Sequence, residues 1–194
     1  MARQLPAYLT NAQAAALASA LDDFHHHGSK PFYLNKYDSE VLQGDGWTRL
    51  RMLSEQGGLH VDVVSGLVLS NSCDIEPANL DSLPKLLTFV PILSLAEYRS
   101  VLLDAGVTAD AIATKFDAIR RQHVYGLFFV PAGAALDEDS FAWLGSAQSM
   151  TLQTFLDDQQ RKKLFTLNQL GHYLLLFKLS VHFCRFTEGV NRAV

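Results

Sequence analysis

Cys73 follows the apolar run GLVLSNS and is a candidate nucleophile. A thiol becomes nucleophilic when a histidine or another cation stabilises its thiolate, whereas an adjacent carboxylate such as that of Asp74 has the opposite effect. His60, His123 and His182 could each come near Cys73 in the fold, but their spacing assigns none of them to it. The residues therefore favour a small buried cysteine at the end of a strand. An enzyme that uses the Cys73 thiol stays open as an alternative.

The turn around Cys73 is polar. Asp74 and Glu76 are acids directly after an apolar strand, which is a common place for residues that bind or catalyse. Asp74 could equally cap the turn by accepting backbone N–H bonds, together with Ser70, Asn71 and Ser72. The structural role is favoured, and the alternative is a ligand-binding turn in which Asp74 takes part in catalysis and Ser70, Asn71 and Glu76 contact the ligand.

A second candidate site lies near the C-terminus. Lys178, His182 and Arg185 follow one another at i, i+4 and i+7, so a helix would place them in one cationic stripe. Such a stripe can bind a phosphate or a carboxylate. It is also what the solvated side of an amphipathic helix looks like, and both interpretations stay open.

The three consecutive histidines at 25–27 do not predict a metal site. Neighbouring residues on a helix point about 100° apart, and ligands on a helix are spaced i, i+4 instead. They are better explained as the end of the alanine-rich helix AQAAALASALDDF, which Thr10 or Asn11 can cap. The sequence also contains no phosphate-binding loop, CxxC pair, HExxH, GxSxG or dinucleotide fingerprint. No cofactor and no metal are therefore expected.

The middle of the chain alternates between strand and helix patterns. Residues 47–71 show an apolar period of two in WTRLRML, GLHVDVV and GLVLS, with Gly57-Gly58 and Ser65-Gly66 as separating turns. KLLTFVPIL predicts a further strand, in which Pro91 marks an edge or a bend. VYGLFFVPA reads as a later strand, and SAQSMTLQTF as another.

Two helices interrupt these strands. AEYRSVLLDAG closes at Gly106, and Thr108 caps a second helix that carries Ile112, Phe116 and Ile119 on one face. The prediction is a single α+β domain over residues 1–194, built as a small SH3-like curled sheet or barrel with N-terminal, inserted and C-terminal helices. The expected parts are strands at about 45–95 and 124–155, inserted helices at about 96–122 and a C-terminal helix at about 167–186.

Composition narrows the class of protein. Hydrophobic residues make up 48% of the 194 residues and charged residues 19%, as in ordinary globular domains. The apolar stretch LFTLNQLGHYLLLF contains polar residues and ends at Lys178, so it is too short for a membrane span. Cys73 and Cys184 form no disulfide framework, which predicts reduced thiols in the cytosol. The net charge of −4 gives no general attraction to nucleic acid.

A partial resemblance comes from residues 54–79. The segment Glu55-Gln56-Gly57, followed by the strand Leu67-Val68-Leu69 and Ser70, resembles the core of the PemK/MazF-like toxins, which are SH3-like barrels that cut RNA. VLSNSCDI is also similar to a strand-plus-CD signature in bacterial and phage-linked proteins with such barrels. The resemblance implies an SH3-like barrel and a metal-independent endoribonuclease.

That activity requires a general base and a cation that stabilises the phosphorane. The arginine that the family carries after its glycine is absent, because Gly58 and Leu59 stand there. Arg49 or Arg51, on the preceding strand, would have to supply the cation.

The sequence therefore predicts, first, a non-catalytic binding or regulatory protein of bacterial or phage origin. Its partner would be a protein, an RNA or a small anionic ligand, and an exposed strand edge would permit a homodimer. The toxin-type endoribonuclease and the thiol enzyme are the two alternatives.

Overall fold

The computed structural model describes residues 32–55, 57–79 and 83–183, and these form an α+β fold. One antiparallel sheet of eight strands is accompanied by four α-helices in this part of the chain. The predicted N-terminal helix, with its three histidines, lies outside the described residues, as do Gln56, Cys184 and Arg185.

The elements follow one another in a mixed order. The strands are β1 (Tyr33–Leu34), β2 (Gly46–Ser54), β3 (His60–Val68), β4 (Leu86–Ser94), β5 (Leu127–Val130), β6 (Ser140–Trp143), β7 (Gln148–Thr151) and β8 (Lys163–Leu167). The helices are α1 (Leu95–Asp104), α2 (Ala109–Arg120), α3 (Leu152–Asp157) and α4 (Gln169–Phe183), and a short 3₁₀ turn, Leu144–Ser146, joins β6 to β7. Along the sheet the strand order is β1-β8-β2-β3-β4-β6-β5, and β7 also pairs with β4.

The hairpin of β2 and β3 is the longest pairing in the sheet. Gly57 and Gly58, with φ of 76° and 117°, make its turn, as the sequence predicted. The turn predicted at Ser65-Gly66 is wrong, because β3 runs through both residues without a break. Gly66 instead allows close packing, since a Cβ there would lie 2.6 Å from Cδ1 of Leu50 and 2.8 Å from the carbonyl oxygen of Val90.

A β-bulge at Arg49 divides β2. Trp47 pairs with Gly66 and Leu50 pairs with Val64, so β2 uses one residue more than β3 over this stretch. Arg49 has a φ of 64°, in the left-handed region. Because of the extra residue, both Trp47 and Leu50 face the same hydrophobic core.

The four strands β2, β3, β4 and β7 curl around this core. Its buried members are Trp47, Leu50, Val68, Ile75, Leu87, Phe89, Met150, Leu152 and Phe155. The curl brings β7 back towards β2, but no backbone ladder joins these two strands in the described residues, so the sheet is not closed into a barrel. The side chain of Gln148 bridges them instead: its Oε1 accepts from the Leu53 N–H (2.7 Å) and its Nε2 donates to the Leu53 carbonyl (2.8 Å). We call this unpaired junction of β2 and β7 the seam.

The start of β2 is fixed to β8 by a buried ion pair. Asp45 is fully buried, and its Oδ2 lies 2.8 Å from Nζ of Lys163. The same ammonium lies 5.1 Å from the centroid of the Trp47 ring. Burial raises the pKa of the Asp45 carboxyl, and the hydrogen bonds from Lys163 and from the Leu42 N–H oppose that shift.

The inserted helices confirm the sequence pattern. Thr108 caps α2 by accepting a hydrogen bond from the Ala111 N–H, and Ile112, Phe116 and Ile119 are buried against β5 and β6. Both helices lie between β4 and β5 in the chain, as predicted. Pro91 lies in β4 between the residues that pair with β7 and those that pair with β6, which agrees with the predicted bend.

The region after residue 131 differs from the prediction. β6 and β8 were not predicted, and LFTL of β8 was read as part of the apolar run LFTLNQLGHYLLLF. SAQSMTLQTF is divided between β7 and α3 rather than forming one strand. In the described part of the chain, no helix is long and apolar enough to cross a membrane.

We expect Gln148→Ala to lower the free energy of unfolding by about 1–2 kcal/mol, because both backbone groups of Leu53 lose their partner at the seam. Chemical denaturation of the two proteins measures this difference. The matched control is Gln153→Ala in α3, whose amide makes a single side-chain bond to Asp157. Equal losses for the two variants would contradict a structural role for the Gln148 bridge.

Candidate functional site

An open cleft of about 460 Å³ lies at the seam. β2 and β3 pack Leu50, Met52 and Val64 against the core, so the alternate residues of both strands face outward. These outward residues make one side of the cleft, and the start of β7 makes the other. We call it the outer-face cleft, and its lining residues are Arg49, Arg51, Leu53, Val61, Val63, Gln148 and Ser149.

Arg49 is held by an acid at one end of the cleft. Its Nε donates to Oδ2 of Asp158 at 2.7 Å. The carboxylate also accepts from the Gln160 N–H, at 2.9 Å. The hydrogen bond from Arg49 is the main reason that the pKa of Asp158 lies below its ordinary value, and the charge of Arg51 adds to the effect.

Arg51 is the more accessible of the two cations. Its side chain is exposed, and it makes no ion pair within the part of the chain that the structure describes. Since Arg49 is paired with Asp158, the guanidinium of Arg51 supplies the uncompensated positive charge of the cleft.

The floor of the cleft is aliphatic. Leu53, Val61 and Val63 keep 50%, 59% and 54% of their surface exposed, although all three are large apolar side chains. Leu53 lies opposite Val61 in the hairpin and Arg51 lies opposite Val63, so the four side chains form a continuous patch. Exposed apolar patches next to charged groups are typical of interaction surfaces.

The lining of the outer-face cleft contains no group that readily transfers a proton. No histidine, cysteine, aspartate or glutamate is among its lining residues. Asp158 adjoins it, but its lowered pKa and its bond to Arg49 make it a weak base. The arrangement can hold an anionic group against an apolar surface.

The turn after β3 is built by neutral polar side chains. Oδ1 of Asn71 accepts from the Cys73 N–H (2.9 Å), and Oγ of Ser70 accepts from the Thr88 N–H (2.7 Å). Oγ of Ser72 accepts from the Gln43 N–H at 2.9 Å. The predicted structural role in this turn is therefore filled by Ser70, Asn71 and Ser72.

Cys73 does not close a buried strand. Its side chain is exposed, so the prediction of a buried cysteine is wrong, and Ile75 is the residue of this turn that enters the core. Within the described residues, no hydrogen bond or ion pair reaches the sulfur, so no histidine is placed to activate it.

The two acids of the turn are also exposed. The Asp74 carboxylate accepts no hydrogen bond in the described residues, which contradicts the predicted cap. Oε1 of Glu76 accepts a long bond of 3.3 Å from the Ala78 N–H.

Lys178 lies on the buried side of α4 rather than in a solvent-facing stripe. Only 3% of its surface is exposed, and its Nζ donates to the carbonyls of Gln122 (2.9 Å) and Val124 (2.6 Å), just after α2. His182 is half-buried and packs edge-on against Phe183, and Arg185 lies outside the described residues. The predicted stripe is therefore not exposed at Lys178.

Burial also changes the acidity of Lys178. It lowers the pKa of the ammonium from its ordinary value of 10.5 to about 7. The two carbonyls accept from the ammonium, but no carboxylate pairs with it in the described residues. Lys178 thus connects α4 to the segment that follows α2.

Arg49 and Arg51 are the two predicted catalytic residues that the structure brings together, because both line the outer-face cleft. Sequence reasoning did not single out its other members. One signal in the sequence could have found them. β2 and β3 carry large apolar residues at outward positions as well as at inward ones, whereas a strand with one solvated face alternates apolar and polar residues.

Neither similar proteins nor a metal site indicates a function for the cleft. The chain matches no protein-family model, and a comparison with curated proteins found no match. Within residues 32–55, 57–79 and 83–183, no group of three or more histidine, cysteine, aspartate or glutamate side chains could hold a metal ion.

We expect the stability of the protein to rise with pH relative to a Lys178→Met variant between about pH 7 and about pH 10.5. The pKa of Lys178 is lower in the folded chain than its ordinary value, so over this range the unfolded chain binds more protons and raising the pH favours folding. Below about pH 7 the difference between the two proteins should be constant.

Thermal unfolding at a series of pH values measures this difference, and Lys36→Met, which removes an exposed ammonium, is the control. A difference between wild type and Lys178→Met that does not change with pH would show that Lys178 titrates normally in the folded protein.

Proposed function

We propose that this chain is a non-catalytic binding protein and that the outer-face cleft is its contact surface. One observation carries the proposal: an uncompensated guanidinium, that of Arg51, lies beside three exposed aliphatic side chains in a cleft whose lining offers no general base. Such a site recognises a ligand that has both an anionic and an apolar part.

The curl of β2, β3, β4 and β7 supports placing this protein with small SH3-like barrels, as the resemblance to the PemK/MazF-like toxins implies. The bacterial or phage-linked origin and a regulatory role belong to the same proposal. The cytosol stays the predicted compartment.

The endoribonuclease is the second candidate, because Arg49 and Arg51 lie together where its cations were predicted. Cleavage also needs a group that accepts a proton from the attacking hydroxyl. Asp158 is the acid that forms an ion pair with Arg49, and this bond keeps its carboxylate ionised and weakly basic. The geometry therefore favours binding over cleavage.

The thiol enzyme has less support. The exposed Cys73 would be accessible to a substrate, but thiolate formation requires a stabilising cation or histidine. The described residues place no such group in contact with its sulfur.

To test the binding function, the tagged protein and its Arg51→Glu variant are purified from the native host, and mass spectrometry identifies the protein, RNA or small molecule that accompanies each. We expect a specific companion with the wild type and its loss with Arg51→Glu. Arg99→Glu on α1 makes the same charge change at an exposed position away from the cleft and should retain the companion.

Equal melting temperatures of the variants establish that each is folded. A companion retained by Arg51→Glu would contradict the assignment of the cleft. The purified wild type is also tested for RNA degradation. If it degrades RNA and the double variant Arg49→Ala and Arg51→Ala does not, the protein is an endoribonuclease and the proposal of a non-catalytic binding protein is wrong.

A further inference from the structure

The backbone of β2 has an open edge at Arg51. The N–H and C=O of Leu53 both bond to Gln148, so they point away from β3 and into the seam. Backbone groups two residues apart in a strand point in the same direction, so those of Arg51 also face the seam. The pairing of β2 with β8 ends at Trp47, and among the described residues no strand pairs with β2 at Arg51 on this side.

The chemistry of the cleft fits a peptide better than a nucleic acid. Its lining holds no aromatic ring on which a base could stack. Nucleic acids bind mainly through several neutralised phosphates, whereas this cleft has one uncompensated cation. A peptide needs one carboxylate for Arg51 and apolar side chains for the aliphatic floor.

We propose that the outer-face cleft binds an extended acidic segment of a partner protein. At Arg51 the segment exchanges hydrogen bonds with the backbone N–H and C=O, as one residue of an added strand does at a sheet edge, while Gln148 keeps the backbone groups of Leu53. One of its carboxylates pairs with the guanidinium of Arg51, and its aliphatic side chains cover Leu53, Val61 and Val63. This inference rests on the proposed binding function and specifies its ligand.

Charge complementarity favours an acidic segment over a second copy of the chain as the occupant of the outer-face cleft. A second copy of the chain would bring the same positive and aliphatic cleft to a symmetric contact, which would place two uncompensated guanidinium groups in one interface. An acidic segment neutralises the cation and leaves Asp158 paired with Arg49.

Selection from a library of short random peptides with the full chain as bait tests this inference. We expect enrichment of peptides that contain an acidic residue beside alternating aliphatic residues, and no such enrichment with the Arg51→Glu variant as bait. For an enriched peptide labelled with a fluorophore, Arg51→Glu should weaken binding by at least about tenfold, because it replaces a charge-assisted contact by repulsion.

Further variants test whether the aliphatic floor of the cleft contributes to the affinity separately from the charge of Arg51. Val63→Thr keeps the shape and the strand preference but places a hydroxyl on the floor, and it should weaken binding about threefold. Val101→Thr on α1 and Arg99→Glu are the matched controls, since both residues are exposed outside the cleft, and they should leave the affinity unchanged.

Backbone pairing has its own readout. Methylation of the one peptide nitrogen that donates to the Arg51 carbonyl should weaken binding, whereas methylation of either neighbouring nitrogen should not, because those N–H groups point away from β2. Equal effects at all positions, or none, would overturn the added-strand geometry.

Failure of this inference can be told apart from failure of the binding function. No enrichment, or enrichment of basic peptides, overturns the acidic segment. If an oligouridylate RNA, or self-association in sedimentation, instead depends on Arg51, the cleft is a binding site for another partner. If the native companion also persists with Arg51→Glu, the binding function of the cleft fails as well.

Discussion

The β-bulge at Arg49 is the constraint on which the candidate site depends. It lets Trp47 and Leu50 enter one core although they are three residues apart, and it places Arg49 and Arg51 together on the outside. A left-handed φ at a residue other than glycine costs about 1 kcal/mol, and the contacts of Arg49 with Asp158 oppose that cost. Beside the bulge, Thr48 exchanges hydrogen bonds with Lys162, which fixes the segment before β8. The bulge therefore determines both the packing of this core and the position of the two arginines.

The same arrangement leaves the seam open. β2 follows β8 only through Trp47 and then turns away at the bulge, while β7 pairs with β4 and reaches β2 through the Gln148 side chain. A closed barrel would satisfy these backbone groups internally and remove the edge. The open edge lies beside an exposed cation and three exposed aliphatic residues, so one surface offers hydrogen bonds, charge and apolar contact. This combination supports recognition of a peptide without requiring proton transfer.

The sequence predicted the features that depend on local chemistry. The Gly57-Gly58 turn, the Thr108 cap and the apolar face of α2 follow from neighbouring residues, and the structure confirms them. Gly66 was misread as a turn because glycine also serves close packing, which here involves Leu50 and Val90 from other parts of the sheet. Lys178 was expected to be exposed, but it is buried. Two carbonyl oxygens more than fifty residues earlier in the chain accept hydrogen bonds from its ammonium. The cleft combines two arginines that the sequence singled out with residues of β3 and β7 that only the curl of the sheet brings beside them.

Residue-resolved amide hydrogen exchange across β2 measures whether the backbone of Arg51 is unpaired in the free protein. We expect the Arg51 amide to exchange much faster than those of Leu50 and Met52, because the Arg51 N–H faces the open seam while its neighbours bond to β3. Binding of the acidic peptide should then protect Arg51. An Arg51 amide in the free protein that is as protected as its two neighbours would show that the edge is already paired, and it would contradict both the open seam and the proposed site.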